Sequence, residues 1–278
     1  MSALGRTARA TLGVFRIQFA ESIQYRVAAL SGAAVSILWS VIEITVYIAF
    51  FRHGERAMIP GISSGMTLAQ AISYAWLGQM LFGLYPGLDG SIVQQIEKGD
   101  IGVEMCRPFP LYNLWFARKA ASTLSTMLMR GSAVVLFGFF MPGIYRLGGP
   151  TTLPALLCAL LSLCCAFVLS AAVSNLVAAV RMNVPWGNGP MHILFLLTMV
   201  LSGGYLPLQL WPDFMQTFLY YQPFAGFMDI PLRLYLGLMP PSQALSAMLL
   251  QLGWTAAFIV LGNLLMRRHL RSVVIQGG

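Results

Sequence analysis

The sequence predicts an all-α polytopic membrane protein. It has six transmembrane helices, an N-terminal amphipathic interfacial helix and short re-entrant helices between spans five and six. Three observations carry this reading. Only 9% of the 278 residues are charged and 58% are hydrophobic, whereas a soluble domain carries roughly 25% charged residues. Apolar runs of about 20 residues recur, the length that crosses a hydrocarbon core of about 30 Å. Basic residues flank those runs unevenly, as the orientation rule for membrane helices requires. A helical bundle in lipid is one unit, so residues 1–278 are read as a single transmembrane domain.

Residues 6–25 place Leu12, Phe15, Phe19 and Ile23 on one helical stripe, with Arg9 and Arg16 opposite. Such a helix suits the headgroup plane. No apolar core precedes residue 27, so the first span is expected to act as an uncleaved anchor. That span covers about 27–51. The second, about 68–88, is the most polar and includes Gln70, Ser73, Tyr74, Gln79 and Pro86. The third is about 120–142, the fourth 153–180, the fifth 190–207 and the sixth 244–266. Residues 208–243 are too broken by proline for a span and too apolar for a water-exposed loop, and read as short helices on or in one membrane face. Their aromatics, Trp211, Tyr220, Tyr221 and Tyr235, with Tyr205 just before them, suit an interfacial belt.

With the N-terminus inside, the cytoplasmic side holds Arg6, Arg9, Arg16, Arg26, Lys98, Arg107, Arg118, Lys119, Arg181, Arg267, Arg268 and Arg271. The outer side holds Arg52, Arg56, Arg146 and Arg233. Both termini and the loop over 90–119 are therefore expected in the cytoplasm, and 52–67 and 208–243 outside. This topological pattern accounts for the net charge of +8. The basic residues do not gather into one patch, which argues against nucleic acid as a partner. The four cysteines, Cys106, Cys158, Cys164 and Cys165, have no disulfide or zinc spacing and read as buried small apolar residues.

The passage SIVQQIEKGDIGVEMCRPFP at 91–110 gathers three of the nine acidic residues, Glu97, Asp100 and Glu104, beside Lys98 and Arg107. Ser91 and Gln94 fit a capping box, and Lys98 suits the last turn of that helix. Gly99 can end it in the left-handed region, Asp100 can cap a second helix, and Arg107-Pro108 stops it. The local chemistry specifies a helix, a corner and a helix. Two readings stand on it: a rigid surface for a soluble partner, or a solvated elbow between spans.

The IEKGDIGVEMCRP motif after the second span, and the later SGGYLPLQLWP and YYQPFAGFMDIPLRLYLG, resemble the type-2 ABC exporter permeases. The likeness is to the small six-span bacterial subgroup without a fused ATPase, and it covers nearly the whole chain. It implies a permease subunit in the bacterial inner membrane that exports a substrate. The first cytoplasmic loop would be a coupling helix docked on separate nucleotide-binding ATPase subunits. Glu97, Lys98, Gly99, Asp100, Glu104 and Arg107 would be the docking set. Met105-Cys106 departs from the aliphatic pair expected there. A second permease would complete the pore, an identical copy or, as the resemblance favours, a related chain. ATP and Mg would sit on the partner ATPase, with no cofactor on this chain.

The residues agree that hydrolysis must be borrowed. Neither Lys98 nor Lys119 stands in G-x-x-x-x-G-K-[ST]. His53, His192 and His269 form no H-E-x-x-H, and no G-x-S-x-G occurs, so the chain is not read as an enzyme. The rival classes are a self-sufficient transporter or channel and, more remotely, an intramembrane enzyme. Within the spans, Glu43 and Arg130 are ionisable groups that pair, line the route or sit near a headgroup. Gly131 and Gly138 permit close helix contact in lipid. Gly203-Gly204 breaks the fifth helix and is a candidate gate hinge, with packing as the plainer alternative.

Overall fold

The computed structural model describes residues 3–24, 26–51, 65–87, 92–95, 104, 109–183 and 189–270. Its described residues fold into helices joined by short turns. The segment expected as an interfacial helix is helical, α1, Ala3–Gln24, and the segment expected as the first span is α2, Arg26–Phe50. On α2 the buried positions Ala33, Ser36, Ser40, Ile44 and Tyr47 recur every three or four residues. The opposite stripe, Leu30, Leu38, Trp39 and Val46, is exposed. An apolar outside and a small, partly polar inside is the arrangement lipid requires, because burial of grease no longer drives helices together.

Helix α3, Leu68–Met80, tightens into a 3-10 turn over Leu81–Leu84. Thr67 opens it with a complete capping box: its hydroxyl accepts from the Gln70 amide and Gln70 Oε1 accepts from Thr67 N–H. Eight consecutive residues, Ala71 to Gly78, are buried. The most polar of the predicted spans is therefore central, and its polar groups face protein.

The third span is a longer helical column than the sequence indicated. It comprises α4 (Leu111–Thr126), a π-turn (Met127–Gly131) and α5 (Ser132–Phe140). It begins nine residues early because Tyr112, Leu114 and Trp115 are buried between helices and do not lie on the membrane surface. Gly131 and Gly138 mark where this column meets α3. A Cβ on Gly131 would stand 2.8 Å from Met80 Cγ, and one on Gly138 would stand 2.9 Å from the Trp76 ring.

Helix α6, Leu153–Asn183, is matched by α10, Ala244–Leu270, and the two pack extensively. Their facing stripes are small or polar: Ala155, Ala159, Ser162 and Ala166 on one, Ala244, Ala247, Gln251 and Thr255 on the other. Cys158 and Cys165 are half-buried and Cys164 is exposed, so the expectation of buried cysteines is corrected for these three; Cys106 lies outside the described residues. Helix α7 is only Gly189–Leu201. Short helices follow: a 3-10 turn at Leu208–Leu210, α8 (Asp213–Tyr221), a second 3-10 turn at Pro223–Gly226, and α9 (Asp229–Tyr235).

Among the described residues, four helices are long and apolar enough to cross a membrane: Ala29–Phe50, Leu111–Phe140, Leu153–Met182 and Pro241–Leu270. The second and fifth expected spans appear as the shorter α3 and α7. Two clusters of buried residues mark the ends of the bundle. One joins Val14 of α1, Ile92, Leu111 and Trp115, Ala178 of α6 and Met266 of α10. The other joins Ala159 of α6, Leu208, Leu219, Ile230 and Ala244 of α10. Helices α6 and α10 run between these ends in the same direction, from the Ala159/Ala244 end to the Ala178/Met266 end.

Candidate functional site

At the α1 end, Glu104 is turned inward and is 4% exposed. Its Oε2 accepts from Trp115 Nε1 at 2.8 Å, and its Oε1 accepts from Arg118 Nη1 at 2.7 Å. The expectation of an exposed charge is corrected here. A carboxylate with two strong donors fastens the charged segment to α4, and Trp115 is itself fully buried. Ile92 of the same segment is buried in the end cluster. Glu97, Lys98, Gly99, Asp100 and Arg107 lie outside the described residues.

Glu43 and Arg130 do not pair with one another. The Glu43 carboxylate accepts from the Tyr47 hydroxyl at 2.6 Å, and the Gln79 side chain of α3 lies close to it. Arg130 Nε donates to Ser36 Oγ at 2.8 Å, its Nη2 donates to the same oxygen, and its guanidinium lies 4.5 Å from the Phe82 ring centre. Ser36 and Glu43 are seven residues apart on α2, about 10 Å along the axis. The two charges therefore join α2 to its neighbours at different depths.

Gly203 and Gly204 form a Schellman cap. Gly204 N–H donates to Met199 O at 2.8 Å, Gly203 N–H donates to Val200 O at 3.4 Å, and Gly203 has φ +88°. Those two bonds satisfy carbonyls at the end of α7. The turn also receives two tyrosines from the α3 column. A Cβ on Gly203 would lie 2.2 Å from Tyr74 Oη, and one on Gly204 would lie 2.0 Å from Tyr85 Oη.

Beside that turn is a buried polar core that the sequence reading did not assign. Asp229, at the start of α9, is 1% exposed. Its Oδ1 accepts from Gln209 Nε2 at 3.1 Å and from Tyr74 Oη at 3.4 Å, and Arg233 Nη1 stands 3.6 Å from Oδ2. Burial pushes this carboxyl up, and the Arg233 guanidinium and the two donors oppose the shift. Nearby, Gln222 Nε2 donates to Leu201 O at 2.7 Å and its Oε1 accepts from Phe224 N–H at 2.7 Å. Gln251 Nε2 donates to Gly226 O at 2.8 Å, and its Oε1 accepts from Ser162 Oγ at 3.0 Å. Gln70 Nε2 donates to Leu236 O at 3.0 Å. Amide side chains thus hold the short helices that follow α7 to α3, α6, α7 and α10. The signal available in sequence was Asp229 and these glutamines standing in apolar surroundings.

The long apolar helices, their exposed apolar stripes and the polar interior define a multi-pass helical membrane protein. The chain matches the family model described as ABC-2 family transporter protein over residues 37–277, and it belongs to that family. Helix α1 precedes the matched region. No curated protein matches the chain.

Proposed function

We propose that this chain is the permease subunit of an ATP-driven exporter in the bacterial inner membrane, powered by a separate cytoplasmic ATPase. The observation that carries the reading is the family match over residues 37–277. In this proposal six spans cross the bilayer: α2, α3 with its 3-10 turn, the α4–α5 column, α6, α7 and α10. Both termini are cytoplasmic, α1 lies on the inner leaflet, and α8 and α9 form re-entrant helices at the outer mouth. The distribution of Arg and Lys supports that orientation.

Segment 90–110 is the coupling element. Glu97, Lys98, Gly99, Asp100 and Arg107 meet the ATPase, and Glu104 ties the element to α4 so that displacement is transmitted. ATP and Mg bind on the partner, whose closure tilts the spans. A second permease, preferably a related chain, completes the route. The Gly203-Gly204 turn serves as the gate hinge, with Tyr74 and Tyr85 coupling it to α3.

Co-expression with an ATPase encoded beside this chain tests the proposal. Asp100→Lys with Lys98→Glu is expected to abolish co-purification and ATP-dependent flux while the permease still folds. Uphill transport by vesicles holding this chain alone would overturn it.

A further inference from the structure

A second feature lies near the α1 end. A pocket of about 300 Å³ opens between the α1–α2 elbow and the α4 column. Ser22, Gly32, Ser122, Ser125, Thr126 and Arg130 line it. Arg130 belongs to the π-turn, a rare conformation concentrated at functional sites. Its partners are a hydroxyl, Ser36, and an aromatic face, Phe82. Neither carries a formal negative charge. A guanidinium has five N–H donors, and Ser36 engages only two of its nitrogens. A cation among apolar helices is stable when it has a counter-charge, and here the protein leaves that place to the pocket.

The hydroxyls complete the pattern. Ser22 donates to Gln18 O, Ser122 to Lys119 O, and Ser125 and Thr126 both to Ser122 O. Their donors are spent on their own helices and their lone pairs remain. The pocket therefore offers a cation with acceptors around it. That suits a phosphate whose neighbouring group is an alcohol or an amine, as in a glycerophospholipid headgroup. Ala29 of α2 and Met129 also line the pocket and offer an apolar surface to an acyl chain. Gly32 adds no side chain, so α2 leaves the arginine stem uncovered.

We propose that the pocket between the α1–α2 elbow and α4 binds the phosphate of a membrane phospholipid through Arg130. The site is independent of the ATPase-coupled reading and would exist in any transporter built on this bundle.

The full chain, purified in detergent, is titrated with dioleoylphosphatidylglycerol, with dioleoylglycerol of the same acyl chains, and with inorganic phosphate. Retention by native mass spectrometry and the thermal unfolding midpoint are read together. Phosphatidylglycerol is expected to be retained and to raise the midpoint, while the other two do neither. Arg130→Gln is expected to weaken retention about tenfold, the scale of one charged hydrogen bond. Ser122→Phe fills the pocket with the arginine intact, is expected to lose retention likewise, and decides the matter if Arg130→Gln does not fold. Equal retention of phosphatidylglycerol by wild type and Ser122→Phe would overturn the proposal. So would equal stabilisation by dioleoylglycerol, which would mean acyl-chain binding alone, or by inorganic phosphate, which would mean a free-anion site.

Discussion

The Tyr74 hydroxyl donates to the Asp229 carboxylate at 3.4 Å, joining residues 155 positions apart, and the same oxygen stands where a side chain on Gly203 would lie. One tyrosine on α3 therefore meets both the end of α7 and the start of α9. These contacts hold that end of the bundle as one polar core.

Removing Asp229 should expose how much rests on that core. Asp229→Ala leaves Arg233, Gln209 and Tyr74 without their shared acceptor. Breaking one side of a buried ion pair costs about 3–5 kcal/mol, and Arg233, 21% exposed, places this case at the lower end. Thermal unfolding in detergent is expected to fall sharply for Asp229→Ala and less for Arg233→Ala. Equal and small losses would show that the carboxylate is not the centre of the cluster.

The Schellman turn gives a coupled test. Gly204→Ala places a Cβ 2.0 Å from Tyr85 Oη, and overpacking of this kind costs about 1–3 kcal/mol. Tyr85→Phe removes the clashing atom, so the double variant should be more stable than the sum of the singles predicts. Gly203→Ala with Tyr74→Phe should recover less, because the φ of +88° still disfavours alanine. Additive losses in both pairs would refute the packing account.

Glu43 and Arg130 give the opposite expectation. They share no partner, so Glu43→Gln and Arg130→Gln should lower stability additively to within about 0.5 kcal/mol. A double variant much milder than the sum would mean that the two charges do interact.

Glu104 is expected to matter through anchoring. Glu104→Ala strands the Trp115 N–H and the Arg118 guanidinium, at a cost of about 1–3 kcal/mol for a buried donor left unsatisfied. Limited proteolysis within 90–110 should accelerate in this variant, and co-purification of the ATPase proposed above should weaken. Cleavage at the wild-type rate would separate the segment's rigidity from this carboxylate.

Close packing of α3 against the third column makes Gly138→Val a stability variant. Its side chain meets the Trp76 ring and Leu147, and about 1–3 kcal/mol is the expected cost. An unchanged unfolding midpoint would show that the column can shift to make room.

The fold class was legible in the amino-acid sequence because lipid imposes its rule locally. Apolar runs near 20 residues, basic flanks and a proline-broken, aromatic segment located α2, α6, α10 and the short helices after α7 within a few residues. The positions of Gly131, Gly138 and Gly203-Gly204 were visible for the same reason, since each interrupts a run. Partnership was not legible. For Glu43 and Arg130 the sequence left a mutual pair, a polar route and a headgroup position open, and only the packing shows Glu43 facing Tyr47 while Arg130 faces Ser36 and Phe82. Glu104 looked like a surface charge, but it is held by Trp115 and Arg118. Asp229 gave no local sign that it would gather Tyr74, Gln209 and Arg233. Composition and period determine which segments can cross a membrane, because that energy is summed residue by residue along the chain. Which polar group satisfies which other depends on helix rotation and depth, and those are set only when all the helices pack together.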